Sequence, residues 1–229
     1  MAIVVDTSKT PSGRRFLKRR NGKRKPKKKA VYNTKMTLHR SPMPVKFITT
    51  MIYSQSHNLN AGIATVGTQI YRANGLYDPD VSGTGHQPRG FDEIMPLYDH
   101  FIVLSSKIKV RFVGTGNVPF AAGVALRDTV TIPATTNNYQ EGSLCKWTTL
   151  SESDDNRSVT LGSNISKFLS LKYNDDALRG TASTSPIEQA YWHVWAGALD
   201  GASDPATVTF NSVIEYKCMF IEPKVPTQS

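Results

Sequence analysis

The densest chemistry in this sequence is cationic. Arg14-Arg15, Lys18-Arg19-Arg20, Lys23-Arg24-Lys25 and Lys27-Lys28-Lys29 follow one another along one short stretch. Side chains of this charge at this spacing bind phosphate, because each Lys or Arg set on a phosphate releases a condensed counterion. The clusters from Lys18 to Lys29 (Lys18, Arg19, Arg20, Lys23, Arg24, Lys25, Lys27, Lys28 and Lys29) also suit a nuclear-import signal read by host import receptors. Aromatic side chains are too sparse here for readout by base stacking, so the expected contact is with phosphate and without base preference.

Residues that would do covalent or metal chemistry are absent as patterns. Gly22-Lys23 is followed by Arg24, which excludes a P-loop, and Gly83-Thr84-Gly85 lacks the third glycine of a dinucleotide fingerprint. His39, His57, His86, His100 and His193 form no HExxH or other local metal pair. There is no Gly-x-Ser-x-Gly elbow. Asp78, Asp80, Ser82 and Gly83 imitate the start of a calcium loop, yet the twelfth position is Arg89 instead of Glu. A looser calcium site at a subunit contact, using Asp78 or Asp80, stays open as an alternative. The doublets Asp154-Asp155 and Asp175-Asp176 sit among Asn and Ser and read as turn residues. Cys145 and Cys218 are far apart and read as free buried thiols. Asn156-Arg157-Ser158 and Asn164-Ile165-Ser166 match glycosylation acceptors by chance. The sequence therefore points to a protein with no catalytic residues, no cofactor and no metal.

The charge is divided unevenly along the 229 residues. Residues 1–40 hold fourteen Lys or Arg and one acid, Asp6, for a net +13, whereas the remaining residues hold 14 basic and 17 acidic side chains, a net −3. Pro11, Gly13, Gly22 and Pro26 break any helix in the arm, and only Phe16, Leu17, Val31 and Tyr32 are candidates for burial. Dense like charge with so little apolar surface does not offset the ordering entropy, so the arm is expected to be disordered by itself. The predicted organisation is a basic arm over 1–44 and one domain over 45–229, a length that supports a real core. No run of 18 apolar residues exists, which argues against a transmembrane helix. Ala2–Val5 is too short for the apolar region of a signal peptide.

After Pro42 and Pro44 the pattern turns to period two. Val45, Phe47, Met51 and Tyr53 alternate with Lys46 and Thr50 in a first strand, and Ile63 to Arg72 is a second. Over 102–113, Ile102, Leu104, Ile108, Val110 and Phe112 are expected on one face and Lys107, Lys109 and Arg111 on the other. Further strands are expected over Phe120–Arg127, Cys145–Leu150, Val159–Leu171, Glu188–Leu199 and Thr207–Ile221. Phe91, Ile94, Met95 and Tyr98 have helical spacing, which Pro96 limits to one or two turns, and another turn is expected near Ile187–Gln189. About eight strands without crossover helices indicate an all-β antiparallel sandwich or barrel, and long links such as 73–90 and 128–143 suit Greek-key or jelly-roll connections.

The stretch Ile70-Tyr-Arg-Ala-Asn-Gly-Leu-Tyr-Asp-Pro-Asp-Val-Ser-Gly-Thr-Gly-His-Gln-Pro-Arg-Gly-Phe91, continued by Asp92-Glu-Ile-Met-Pro-Leu-Tyr98, is the most distinctive in the chain. With Asp99-His100 and the following strand, it closely resembles capsid proteins of small circular single-stranded DNA viruses that encode a replication initiator, the circovirus-like or CRESS-DNA group. The resemblance covers the layout of most of the chain and is most specific over 70–112. This arm departs from circoviruses proper, whose arms are longer and dominated by arginine, in turning Lys-rich after Gly22.

That resemblance implies an eight-stranded antiparallel jelly roll, roughly sixty copies of which form a small icosahedral T=1 shell. The implied partners are other copies of the chain, a single-stranded DNA genome and host nuclear-import receptors. The implied locations are the virion and the host nucleus, without membrane insertion. Roughly sixty arms would carry about 780 positive charges, enough to neutralise much of a short genome. In such jelly rolls the strands bearing Lys46, Lys107, Lys109, Arg111 and Lys217 belong to one sheet, whose outer face lines the shell interior. The loop Gly75–Gly90, with Leu76, Tyr77 and Pro88, is expected to contact a neighbouring subunit. The rival classes are a ribosomal or histone-like nucleic-acid-binding protein with a β-sandwich body, and a β-sandwich recognition module with a basic tag. A ribosomal protein usually has a basic folded surface as well as a tail, whereas this body is net acidic.

Overall fold

Alternating polar and apolar side chains make an extended strand the one conformation that buries one set and wets the other. That alternation builds β1 (Lys46–Asn60) and β9 (Thr207–Pro223), which pair antiparallel along the whole length of β1. The computed structural model describes residues 42–114, 118–142, 144–151, 157–205 and 207–225. Between the two long strands lie β2 (Val66–Arg72), α1 (Phe91–Ile94), β3 (Tyr98–Gly114), β4 (Phe120–Arg127), α2 (Thr136–Gln140), β5 (Cys145–Leu150), β6 (Arg157–Asn164), α3 (Ile165–Phe168), the two-residue β7 (Arg179–Gly180) and β8 (Tyr191–Ala198). One sheet has the order β1-β9-β3-β6, with β7 beside β3, and the other has the order β2-β8-β4-β5.

The pairing is nested. Setting the short β7 aside, the first long strand pairs with the last, the second with the seventh, the third with the sixth and the fourth with the fifth, all antiparallel. A long hairpin rolled across two sheets in this way is a jelly roll, as expected from the sequence.

The core lies between the sheets. Ile108, Val110 and Phe112 of β3 and Phe210, Ile214 and Tyr216 of β9 line one side of it and Trp192 and Val194 of β8 the other, all fully or almost fully buried. Polar side chains tie the layers together across this core. Trp192 Nε1 donates to Ser106 Oγ at 2.9 Å, Tyr216 Oη donates to the Arg72 carbonyl at 2.8 Å, and Ser212 Oγ donates to Tyr71 Oη at 3.2 Å. Each such bond contributes about 1 kcal/mol net, and leaving its buried partner unpaired costs more.

Three expectations from the pattern are corrected. First, 102–113 is not one alternating run. The pairing with β9 shifts by one residue between Val103 and Ser105, so Leu104 is a bulge. Before it Phe101 and Val103 lie opposite Phe220 and Cys218; beyond it Ile108, Val110 and Phe112 take the core side. Ile102 and Leu104 therefore do not share the face of Ile108. Secondly, the strand expected over Val159–Leu171 stops at Asn164. That side chain accepts from Lys167 N at 3.0 Å and caps α3, a local hydrogen bond that competes with the ladder. Thirdly, β2 begins at Val66, because Gly62 and Ala64 turn the chain through positive φ and leave Ile63 exposed.

Candidate nucleic-acid interface

Beyond the bulge, β3 rises by about 3.3 Å per residue, so Lys107, Lys109 and Arg111 follow one another about 7 Å apart on the solvent side of the sheet. All three are exposed. Register sets their neighbours. Lys107 lies opposite Glu215 of β9 and Gly162 of β6, Lys109 opposite Val213 and Thr160, and Arg111 opposite Asn211 and Ser158. Lys217 lies opposite Thr50 of β1 and Ser105 of β3, diagonal to Lys107 and within about 8 Å of it. Four cations thus share one patch.

One carboxylate enters the patch. Glu215 Oε2 lies 3.7 Å from Lys107 Nζ, and both side chains are about half exposed. Such a pair contributes little and is readily exchanged for another anion. Lys109, Arg111 and Lys217 have no ion pair among the described residues. Four basic side chains and one acidic side chain leave the patch positive, although the body as a whole is net acidic.

The remaining predicted positions separate. Lys46 lies on the same solvent side but opposite Ile221, at the far corner of the edge strand, and is not part of the cluster. Arg14, Arg15, Lys18, Arg19, Arg20, Lys23, Arg24, Lys25, Lys27, Lys28 and Lys29 lie outside the described residues. Of the three residues expected at a subunit contact, Leu76 and Pro88 pack inside their own chain. Leu76 is fully buried in its own core and Pro88 is buried too, so a neighbour reaches neither without displacing it. Tyr77, 37% exposed, is the one of the three that a neighbour can touch.

The sequence reading missed the uncharged part of this face. Ser54, Ser56 and Asn58 of β1 and Thr209 and Asn211 of β9 point to the same side as the cations, and Asn211 bonds Ser56 and Thr209 bonds Asn58 across the strands. Their alternation with apolar residues was visible, but that they form one patch depends on the β1–β9 register.

Several other titratable groups are held in structural contacts. His193 is fully buried; Nε2 donates to the Thr129 carbonyl at 2.8 Å, which leaves Nδ1 to accept from Tyr139 Oη at 2.9 Å. Burial lowers its pKa to about 4, so the imidazole is neutral at pH 7. Asp175 caps the turn at Asp176–Leu178 through a 3.0 Å bond from Ala177 N, as a turn residue does. Asp78 is bonded to Arg72 at 3.0 Å, and Asp80 accepts from Gln69 and Ser82. No group of three or more His, Cys, Asp or Glu is placed to hold a metal ion among the described residues. Both cysteines are free; Cys218 is buried and pushed up to about 12 by burial, while Cys145 is partly exposed rather than buried.

No protein-family model and no curated protein matches this chain. Among solved structures, it is similar to the semi-empty virus-like particle of the giant freshwater prawn Macrobrachium rosenbergii nodavirus, with 6% identity, a TM-score of 0.46 and coverage of 82% of this chain and 100% of that one. It is also similar to Mud crab tombus-like virus, with 8% identity, a TM-score of 0.45 and coverage of 82% and 96%. The BFDV capsid protein, seen as a decamer, gives 10% identity, a TM-score of 0.45 and coverage of 77% and 99%.

Proposed function

We propose that this chain is the coat protein of a small single-stranded DNA virus of the replication-initiator-encoding group. Copies of the jelly roll close into an icosahedral shell, and the basic arm and the cationic sheet face bind the packaged strand. The observation that carries this reading is the division of charge. A +13 arm precedes a −3 body, and that body gathers four of its cations on one solvent face of the sheet that β1 enters. Subunits that are net acidic do not depend on mutual cationic contacts to pack, while the arms and this face supply the charge a polyanion needs. The resemblance of residues 70–112 to circovirus-like capsid proteins supports the DNA cargo, and the Lys18–Lys29 clusters support nuclear import.

Expression of the full chain, electron microscopy and sequencing of nuclease-protected nucleic acid test the reading. Closed particles, or oligomers that assemble on nucleic acid, are expected. A strict monomer that protects no nucleic acid overturns it, and protected RNA in virions overturns the DNA assignment.

A further inference from the structure

We propose that the solvent face of the β1-β9-β3-β6 sheet holds an uncharged subsite for unpaired nucleobases, formed by Ser56, Asn58, Thr209 and Asn211 beside Arg111. The inference rests on the reading of this face as a nucleic-acid interface and adds what part of the strand it takes.

The face is divided into two unlike parts. Lys217, Lys107 and Lys109 and their one acid, Glu215, occupy the middle of the sheet. Toward the end of β1, Arg111, Asn211 and Ser56 lie opposite one another in one row, and Thr209 and Asn58 follow in the next. Neither row contains a carboxylate, and Arg111 has no ion pair among the described residues.

The amides in this part are oriented. Asn211 Nδ2 donates to Ser56 Oγ at 3.0 Å, which leaves its carbonyl oxygen and second N–H turned to solvent. Thr209 Oγ1 donates to Asn58 Oδ1 at 2.9 Å, which leaves the Asn58 NH₂ available. An acceptor, several amide donors and a guanidinium fork thus sit side by side. Of these, the carboxamides pair with base edges, as they do with adenine, while the guanidinium takes the adjoining phosphate.

Strand spacing places a base over them. Neighbouring strands are about 4.8 Å apart, so a backbone whose phosphates sit along Lys109 and Arg111 on β3 holds its bases one or two strands away. On one side those strands are β9 and then β1, with the amide patch; on the other β6 ends the sheet. No aromatic side chain projects from this face beyond the bulge, so base contact here is by hydrogen bonding and not by stacking. A duplex presents phosphates but not its pairing edges, and an unpaired strand presents both.

The test uses the full chain and three probes of equal length: a mixed-sequence single-stranded DNA, the same sugar–phosphate strand without bases, and a duplex. Wild-type protein is expected to bind the base-bearing strand about fivefold or more tighter than the abasic one. Asn211→Ala together with Thr209→Val should shrink that gap toward unity without altering the salt slope or the melting temperature. Lys109→Gln with Arg111→Gln should flatten the salt slope on both strands by about 0.7 per lost contact. Equal affinity of the wild type for the two strands, or a gap the Asn211 and Thr209 variants leave intact, overturns the base subsite. An unchanged salt slope in the Lys109 and Arg111 variant overturns the nucleic-acid reading of the face itself. If the double variant loses its melting transition, Asn211→Ala alone gives the same comparison, since its side chain is exposed.

Discussion

Asp80 Oδ2 lies 3.3 Å from His57 Nε2, and Asp80 is completely buried. The two atoms approach without a directed hydrogen bond, and neither has another hydrogen-bond partner. The other carboxylate oxygen accepts from Gln69 Nε2 at 2.7 Å, Ser82 N at 2.9 Å and Ser82 Oγ at 2.8 Å. His57 stacks on Phe210 and meets Tyr71 at a tilt, and through His57 and Gln69 Asp80 fastens the 73–90 loop to β1 and β2. An added Cβ at Gly85 would meet Tyr53 Oη at 2.6 Å and Asp80 Cβ at 2.7 Å, so the loop passes this point only as glycine. What resembles a calcium loop in sequence is an internal clasp.

Asp80→Ala strips partners from Gln69, Ser82 and His57 at once and should cost about 3 kcal/mol or more of folding stability. Urea unfolding of the variant measures it. A loss under about 1 kcal/mol would show that the clasp is not structural.

Leu76 and Tyr77, adjacent in sequence, should behave oppositely. Leu76→Ala removes a fully buried side chain and is expected to destabilise the subunit by about 2–5 kcal/mol. Tyr77→Ser touches a part-exposed ring and should leave the unfolding midpoint nearly unchanged while lowering the yield of particles. Equal damage to subunit stability by both would place Tyr77 in its own core and not at a contact.

His193 predicts a pH dependence. Its folded value of about 4 lies below the ordinary 6.5, so between these values the unfolded chain holds a proton that the folded chain excludes. Its contribution is therefore complete above about pH 6.5 and is lost as pH falls toward 4, on the order of 3 kcal/mol. His193→Gln keeps hydrogen-bonding groups but does not titrate. Stability measured from pH 7 to 4 should fall less steeply in that variant, and parallel curves would assign the acid sensitivity elsewhere.

Deleting residues 1–40 removes 14 of 28 basic side chains and stops short of β1, which begins at Lys46. The truncated chain should fold with an unchanged melting temperature and protect far less nucleic acid. Fused to a reporter, residues 9–40 should carry it into the nucleus. Packaging at the full-length level, or a reporter left in the cytoplasm, counts against the corresponding role of the arm.

Local physics was legible without a structure. The +13/−3 division needs only counting, and the strand spans Phe120–Arg127 and Cys145–Leu150 coincide with β4 and β5 because apolar runs bounded by turn residues need no partner to be seen. The solvent side of Lys107, Lys109 and Arg111 follows from alternation alone. What tertiary structure decided is everything that depends on which distant segments pair. The Leu104 bulge appears only against β9, Glu215 meets Lys107 only through register, and Asn211 finds Ser56 from the other end of the chain. Leu76 and Tyr77 read alike in a polar loop, yet folding buries one and leaves the other at the surface. A strand's period records which residues share a side; the neighbours on that side are set by contacts between residues far apart in sequence, which no local pattern encodes.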